Sequence, residues 1–391
     1  MKRMFPCWNK LSFKSAAVAN FLSLASQRAL TPSRACSPGK SFNIPPSAEF
    51  EARVSGIPTM AKLPYRESAD GLDAAFVGVP IDTGTSNRPG ARFGPRQIRV
   101  ESALLRAYNS GTNAAPYESL VVADIGDVNV NLYDLKDSLR RIREAYRKIL
   151  ATGCIPLTMG ESRSADRPSN LSNRSGTEEL QLKKVLAQFF NEMLMFAGGD
   201  HTITYPILQS IAEKHGPVGL IHVDAHTDTS DVVLGEKFSH ATTFRRCLEE
   251  GLLSPRNVVQ IGMRGTGYSA DAYEWNRIKG FRVIPAEECW HKSLAPLMLQ
   301  IRDKMGSTPV YLSFDIDALD PGFAPGTGTP EIAGLTPAQA VEIIRGCRRM
   351  KLVGCDLVEV SPPYDTTGNT ALLAANLLFE MLCVLPKVKY Y

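Results

Sequence analysis

Residues 217 to 230 read PVGLIHVDAHTDTS. An apolar run ends abruptly in Asp224, His226 and Asp228, with His222 just ahead. A short apolar run bounded by turn residues reads as a buried strand. Burying an unpaired carboxylate is costly, so acids gathered at the end of such a strand need a partner. The fold must supply a place where those acids can meet, and a cation to meet there.

The flanking pattern supplies the place. From AAFVGVP (74 to 80) onward, short apolar stretches alternate with amphipathic helical ones. IPLTMG, VGLIHVD, NVVQIGMRG, FRVIP, PVYLSFDID and LVGCDLVEVS read as strands. DSLRRIREAYRKILATG reads as a helix stopped by Gly153, and TPAQAVEIIRGCRRM as a helix capped by Thr336 with Pro337 at its first position. Alternation of this kind predicts an α/β fold, one mostly parallel sheet covered by helices on both faces. Ligands of such folds sit at the carboxyl ends of the strands.

The polar clusters fall at those ends. FAGGDH closes on Asp200 and His201, HVDAHTD on Asp224, His226 and Asp228, and SFDIDALDP on Asp315, Asp317 and Asp320. Residues two apart on a strand share a side, so each set converges on one point. A single D-x-D more often caps a helix or holds a turn. Three strand ends carrying such motifs favour a metal site, because several carboxylates in one pocket repel one another unless a cation neutralises them. The donors exceed the needs of one ion, which predicts a pair of divalent ions. Oxygen with some imidazole and no thiolate suits Mn²⁺.

GGDH, DAHTD and SFDIDALDP, in this order, resemble the ureohydrolase family of arginase, agmatinase and their relatives. FVGVPIDTGTSNRPGARFGP, PGTGTPEIAGLTP and CDLVEVSPPYD resemble its mitochondrial agmatinase-like branch more than arginase. The resemblance implies a three-layer α/β/α catalytic domain over residues 71 to 391, assembled as a trimer or hexamer. It implies two Mn²⁺ per subunit. One would be held by His201, Asp224, Asp228 and Asp315, and the other by Asp224, His226, Asp315 and Asp317. It implies hydrolysis of a small cationic guanidino compound to urea and an amine, agmatine to putrescine first, with a guanidino acid such as 4-guanidinobutanoate as the alternative. A catalytically impaired member of the family is the reading from a different class. Glu359 matches the glutamate that holds the guanidinium, Asp228 the residue that relays a proton to the leaving amine, and His240 the proton-shuttling histidine. The family commonly has glycine after that histidine. Here Ala241 stands there, and a positive φ at this position would strain it.

Other residues receive plainer readings. His222 reads as a satisfied core imidazole, Asp200 and Asp320 as supporting or turn residues, and His215 and His291 as surface. Arg88 and Arg92, in the loop after the first strand, either face a substrate carboxylate or brace the loop.

The chain has 391 residues and a formal net charge of +4, with no acidic residue before Glu49. Residues 1 to 40, basic, Ser-rich and acid-free, read as a mitochondrial transit peptide, which predicts the matrix; a plain cationic tail is the other reading. That leader accounts for the positive balance, so charge gives no reason to expect nucleic acid. No apolar run is long enough to span a membrane. Residues 41 to 70 read as a linker and arm. Residues 161 to 198 interrupt the match to the family and read as an alternatively spliced segment or a lid, expected to be the least ordered part after the leader. The eight cysteines form no C-x-x-C pair and read as reduced, mostly buried thiols.

Overall fold

The computed structural model describes residues 41–160, 200–267 and 271–391. The leader at 1–40 and the insert at 161–198 lie outside the described residues. The strands described are β1 (Ala74–Gly78), β2 (Ala114–Ala115), β3 (Val122–Asp127), β4 (Ile155–Met159), β5 (Val218–Val223), β6 (Leu253–Met263), β7 (Arg282–Pro285), β8 (Pro309–Asp315), β9 (Lys351–Val358) and β10 (Lys389–Tyr390). The α-helices are α1 (Gly94–Glu101), α2 (Leu135–Ala151), α3 (Thr204–His215), α4 (Thr243–Glu249), α5 (Glu274–Ile278), α6 (Ala295–Met305), α7 (Pro337–Gly346) and α8 (Asn369–Cys383).

Local chemistry sets several of these boundaries. Asp134 accepts a hydrogen bond from the Asp137 N–H at the start of α2, and Gly153 (φ 86°) follows its end. Thr336 and Gln339 cap α7 reciprocally, with Pro337 at its first position. The stripe Leu139, Ile142, Tyr146 and Ile149 buries one face of α2 at helical spacing.

Eight strands form one sheet in the order β3-β1-β4-β9-β8-β5-β6-β7, and every pairing in it is parallel. β2 and β10 form a small antiparallel ribbon. The period of two divides β8 between two cores. Val310, Leu312 and Phe314 join residues of α6, α7 and α8 on one face, while Tyr311 joins residues of α2, α3 and α4 on the other. The three layers anticipated from the strand and helix alternation are therefore present. IPLTM keeps its place in the sheet between β1 and β9.

The reading of the sequence did not name β3. Asp124 and Gly126 interrupt its apolar run, and the structure spends Asp124 locally. Its carboxylate accepts from Arg99 Nε at 2.7 Å and from the Met60 N–H at 2.7 Å, which ties the arm before β1 to the sheet edge. From β1 the chain goes to β3 on one side and to β4 on the other, and β5 likewise has β6 and β8 on opposite sides. The carboxyl ends of β4, β9, β8 and β5 lie together in the middle of the sheet, and those of β5, β8 and β9 lead to Asp224, Asp315 and Glu359.

Candidate active site

Asp224 directly follows β5 and Asp315 is the last residue of β8, while His201 opens a short 3₁₀ turn, His201–Ile203, just before α3. Asp200 caps that turn, accepting from the Thr202 N–H at 2.6 Å. The result is convergent. His201 Nδ1 lies 3.1 Å from Asp224 Oδ2, 3.2 Å from Asp228 Oδ2 and 3.3 Å from Asp315 Oδ2. That nitrogen is buried and has no hydrogen-bond partner. Beside it, His226 Nδ1 lies 3.0 Å from Asp317 Oδ2 and 3.5 Å from Asp224 Oδ1. Asp224, His226 and Asp317 can together hold a metal ion. All six predicted ligands thus come together, with Asp224 shared by its two oxygens.

A buried imidazole nitrogen facing three carboxylate oxygens needs positive charge there, either its own proton, which burial opposes but those three carboxylates favour by raising the His201 pKa, or a metal cation between them. Burial pushes the Asp315 carboxyl well above the ordinary range, and the charges of Asp317 and Asp224 add to it. Burial also raises Asp317, with Asp224 contributing. Burial alone would raise Asp224 too, but the imidazoles of His222, His201 and His226 bring it well below the usual value. The acids cannot all ionise without a counter-charge, so the donor set fits divalent metal.

Other residues hold the ligands in place. His201 Nε2 meets Ser313 Oγ at 2.7 Å, and Ser313 donates to Asp356 at 2.6 Å. Asp356 in turn accepts from Thr204 and Tyr311. Arg264, buried at the end of β6, donates to the carbonyls of Asp317 (2.7 Å), Ala318 (3.1 Å) and Glu331 (2.7 Å), fixing the loop after β8. The sequence reading missed Ser313, Asp356 and Arg264. Ser313 stands two before Asp315 on one strand, so period-two spacing could have found it.

Glu359 follows β9, is 2% exposed, and accepts from the His201 N–H at 3.1 Å. Burial pushes its carboxyl well above the usual range, with Asp315, Asp200 and Asp317 adding. Its φ is 63° and that of Asp228 is 49°, a left-handed backbone rare outside glycine and concentrated at functional sites. His240 Nδ1 is 3.6 Å from Glu359 Oε1, and its Nε2 meets Ser86 Oγ at 2.8 Å. Burial lowers the His240 pKa. Ala241 takes no positive φ and sits within the turn His240–Thr242, so the strain considered for it does not arise. Nothing in the sequence marked Ser86, whose role comes from where its loop folds.

The two arginines separate. Arg92 is an ion-pair partner of the fully buried Asp82, the bracing role. Arg88 is exposed, its guanidinium 5.5 Å from the centre of the Tyr364 ring. Its backbone N–H donates to Gly328 O at 3.3 Å, and a Cβ on Gly328 would stand 3.2 Å from Glu359 Oε2. Arg88 therefore sits on the loop bordering Glu359. Asp320 holds a turn, accepting from the Gly322 and Gly334 N–H groups at 2.9 and 3.1 Å. His215 ends α3 and His291 is exposed, both away from the cluster. The described cysteines are free and buried.

The chain matches the arginase family over residues 72–164 and 166–383. It belongs to that family. It is 62% identical over 354 residues to "Agmatinase, mitochondrial" of Gallus gallus, covering 90% of this chain and 93% of that one. It is 61% identical over 346 residues to "Guanidino acid hydrolase, mitochondrial" of Homo sapiens, covering 88% of each. Among solved structures it resembles the proclavaminate amidino hydrolase of Streptomyces clavuligerus, with a TM-score of 0.72 and 33% identity, covering 85% of this chain and all of that one. The chain is accordingly a hydrolase of guanidino or amidino groups with the arginase fold.

Proposed function

We propose that the substrate is a small guanidino acid, of the 4-guanidinobutanoate type, cleaved to urea and the corresponding amino acid with the help of two manganese ions. The observation that carries the metal part is the bare, buried His201 Nδ1 amid three carboxylate oxygens. Manganese held there by His201, Asp224, Asp228, Asp315, His226 and Asp317 supplies Lewis acidity, which lowers the pKa of water toward neutrality.

The protein's own groups do the rest. A guanidinium is planar and always charged, and Glu359 offers it a buried carboxylate already oriented by the His201 N–H. Water oxygen adds to the central carbon, and the bond from that carbon to the chain-bearing nitrogen breaks. Asp228 takes a proton from the water and returns it to the leaving nitrogen. His240 exchanges protons on the side away from Glu359, where Ser86 meets its Nε2.

The acid tail is supported by Arg88 on the loop bordering Glu359 and by the name of the human relative, a guanidino acid hydrolase. Agmatine, placed first by sequence resemblance, is the second reading. The chicken relative's name favours it, and so does Glu331, 4.0 Å from His226 Nε2 on the open side of the site, which suits an ammonium tail. Location in the mitochondrial matrix rests on the basic, acid-free leader and on the relatives' names. Assembly as a trimer or hexamer rests on family resemblance. Among the described residues no helix is long and apolar enough to cross a membrane.

The test is urea release from 4-guanidinobutanoate, agmatine and arginine, side by side, with Mn²⁺ and after chelation. The guanidino acid should be turned over fastest and arginine least, with chelation stopping all three. Faster turnover of agmatine would reverse the substrate choice. No urea from any of them would sink the hydrolytic reading in favour of an impaired member.

A further inference from the structure

His222 is fully buried near the end of β5, its ring centroid 4.2 Å from that of Phe244. It lies close enough to the His201 imidazole and the Asp224 carboxylate to pass for a third imidazole ligand. The hydrogen bonds around it say otherwise. Gln260 Nε2 is 2.8 Å from the Thr227 carbonyl, and a carbonyl can only accept. The amide nitrogen of Gln260 therefore faces this way, and it is also the atom 3.0 Å from His222 Nδ1. The other end agrees, because Gln260 Oε1 accepts from Asn276 Nδ2 at 2.7 Å. His222 Nδ1 must then accept. The ring hydrogen is on Nε2, which donates to Asp224 Oδ2 at 2.7 Å. An imidazole occupied in this way has no lone pair left for a metal.

We propose that His222, its tautomer set by Gln260 and Asn276, is a positioning residue for metal binding. It holds Asp224 so that Oδ2 faces His201 Nδ1 while Oδ1 stays beside His226. The chain of bonds also closes on the ligand loop itself. Thr227 O is bound by Gln260, and Thr229 Oγ1 reaches Asn276 Oδ1 at 3.2 Å, so both flanks of Asp228 are anchored to the same group. Interactions of this kind behind a ligand change metal affinity by about 10–100-fold. The inference rests on the dinuclear reading of the site.

The test is titration of the metal-free protein with Mn²⁺ alone, following heat and free-ion concentration, for the unaltered chain, His222→Phe and Gln260→Leu. His222→Phe keeps a ring of similar shape without a donor. It should weaken Mn²⁺ binding by about tenfold or more while keeping the stoichiometry. Gln260→Leu frees the tautomer and should weaken it in the same direction by less. Unchanged affinity in a folded His222→Phe overturns the proposal. Loss of one ion outright in His222→Phe, with Gln260→Leu unchanged, makes His222 a ligand and also overturns it. If circular dichroism shows that His222→Phe does not fold, Gln260→Leu decides alone, and unchanged affinity there is a failure. If the unaltered chain binds no Mn²⁺, the metal reading falls instead, and this inference falls with it.

Discussion

The His201 and His226 halves of the proposed metal site share Asp224 but are set in different surroundings. The His201 half is closed. His201 is 0% exposed, its far nitrogen is held through Ser313 to Asp356, and Asp224 Oδ2 is held by His222. The His226 half is open. The His226 side chain is 33% exposed, and its far nitrogen lies 4.0 Å from the partly exposed Glu331. Identical donor types therefore differ in what they can do. The closed half is preorganised and costs little reorganisation on binding an ion. The open half leaves room for water and substrate, and its ion should be the weaker and first to leave.

Asp224 joins the halves, so its loss should have the largest effect. Asp224→Ala should remove both ions and all measurable urea release, checked by metal analysis alongside the assay. Two ions retained per chain would show that the halves do not share this carboxylate. His226→Ala sharpens the comparison. One ion should remain in the closed half while turnover falls by two to three orders of magnitude, an effect on the order of 10²–10³ typical of losing a group that stabilises developing charge. Release of both ions by this variant would erase the distinction between the halves.

Glu359→Gln separates substrate binding from metal binding. Glutamine keeps the acceptor for the His201 N–H, so both ions should stay while turnover drops by about 10²-fold or more. The same variant has a pH signature. Burial raises the Glu359 carboxyl above its ordinary 4.5, so the folded chain holds that proton more tightly than the unfolded one. Its stabilising effect is complete below that value and is lost as pH rises through the raised folded value. The metal-free protein should therefore lose melting temperature as pH rises from about 4.5 toward neutrality, and Glu359→Gln should lose less. Parallel curves for the two would mean that Glu359 is not the strained acid.

What the sequence revealed and what it hid follow from this same contrast. Asp224, His226, Asp315 and Asp317 were legible because acids clustered at strand ends imply a cation, although the turns after β5 and β8, and not the strand period, bring each pair together, since Asp224 and His226 lie past β5 and Asp317 lies in the turn Ile316–Ala318. The parallel sheet was legible in the alternation of apolar strands and amphipathic helices. Glu359 and His240 needed family resemblance, since a lone acid and a lone imidazole carry no pattern. The buried supports Asp356, Gln260 and Arg264 were hidden, because their main partners are far along the chain and each looks like any polar residue in or just after a strand. His222 was half legible. It is a satisfied core imidazole, as read, but the sequence could not say that Asp224 is what satisfies it.

Ser86 tests the open side more gently. Its hydroxyl meets the outward nitrogen of His240, while the residue itself is exposed. Ser86→Ala should leave the ions in place and lower kcat by roughly tenfold, below the 10²–10⁴-fold that removing the acid–base group itself would cost. Ser86→Thr, which keeps the hydroxyl, should recover much of it. Equal losses in the two variants would mean that loop shape matters and the hydroxyl does not.

Arg88 should give the smallest effect, and a telling one. Arg92 is committed to Asp82, whereas Arg88 stays exposed beside Tyr364 on the loop bordering Glu359. An exposed charge pair is worth about 0.2–1 kcal/mol, because water and salt screen it. Arg88→Ala should therefore raise KM for 4-guanidinobutanoate only about two- to fivefold at low salt. The change should shrink as salt is added, and kcat should hold, since the tail is remote from the reacting carbon. For agmatine the sign should reverse, because losing a cation near an ammonium tail relieves repulsion and lowers KM. Measuring KM for both substrates in both proteins yields a ratio of ratios that cancels any general damage to the loop. If the two substrates shift together, Arg88 braces the loop as Arg92 does, and the choice of tail must be made on the open side, where Glu331 stands beside His226.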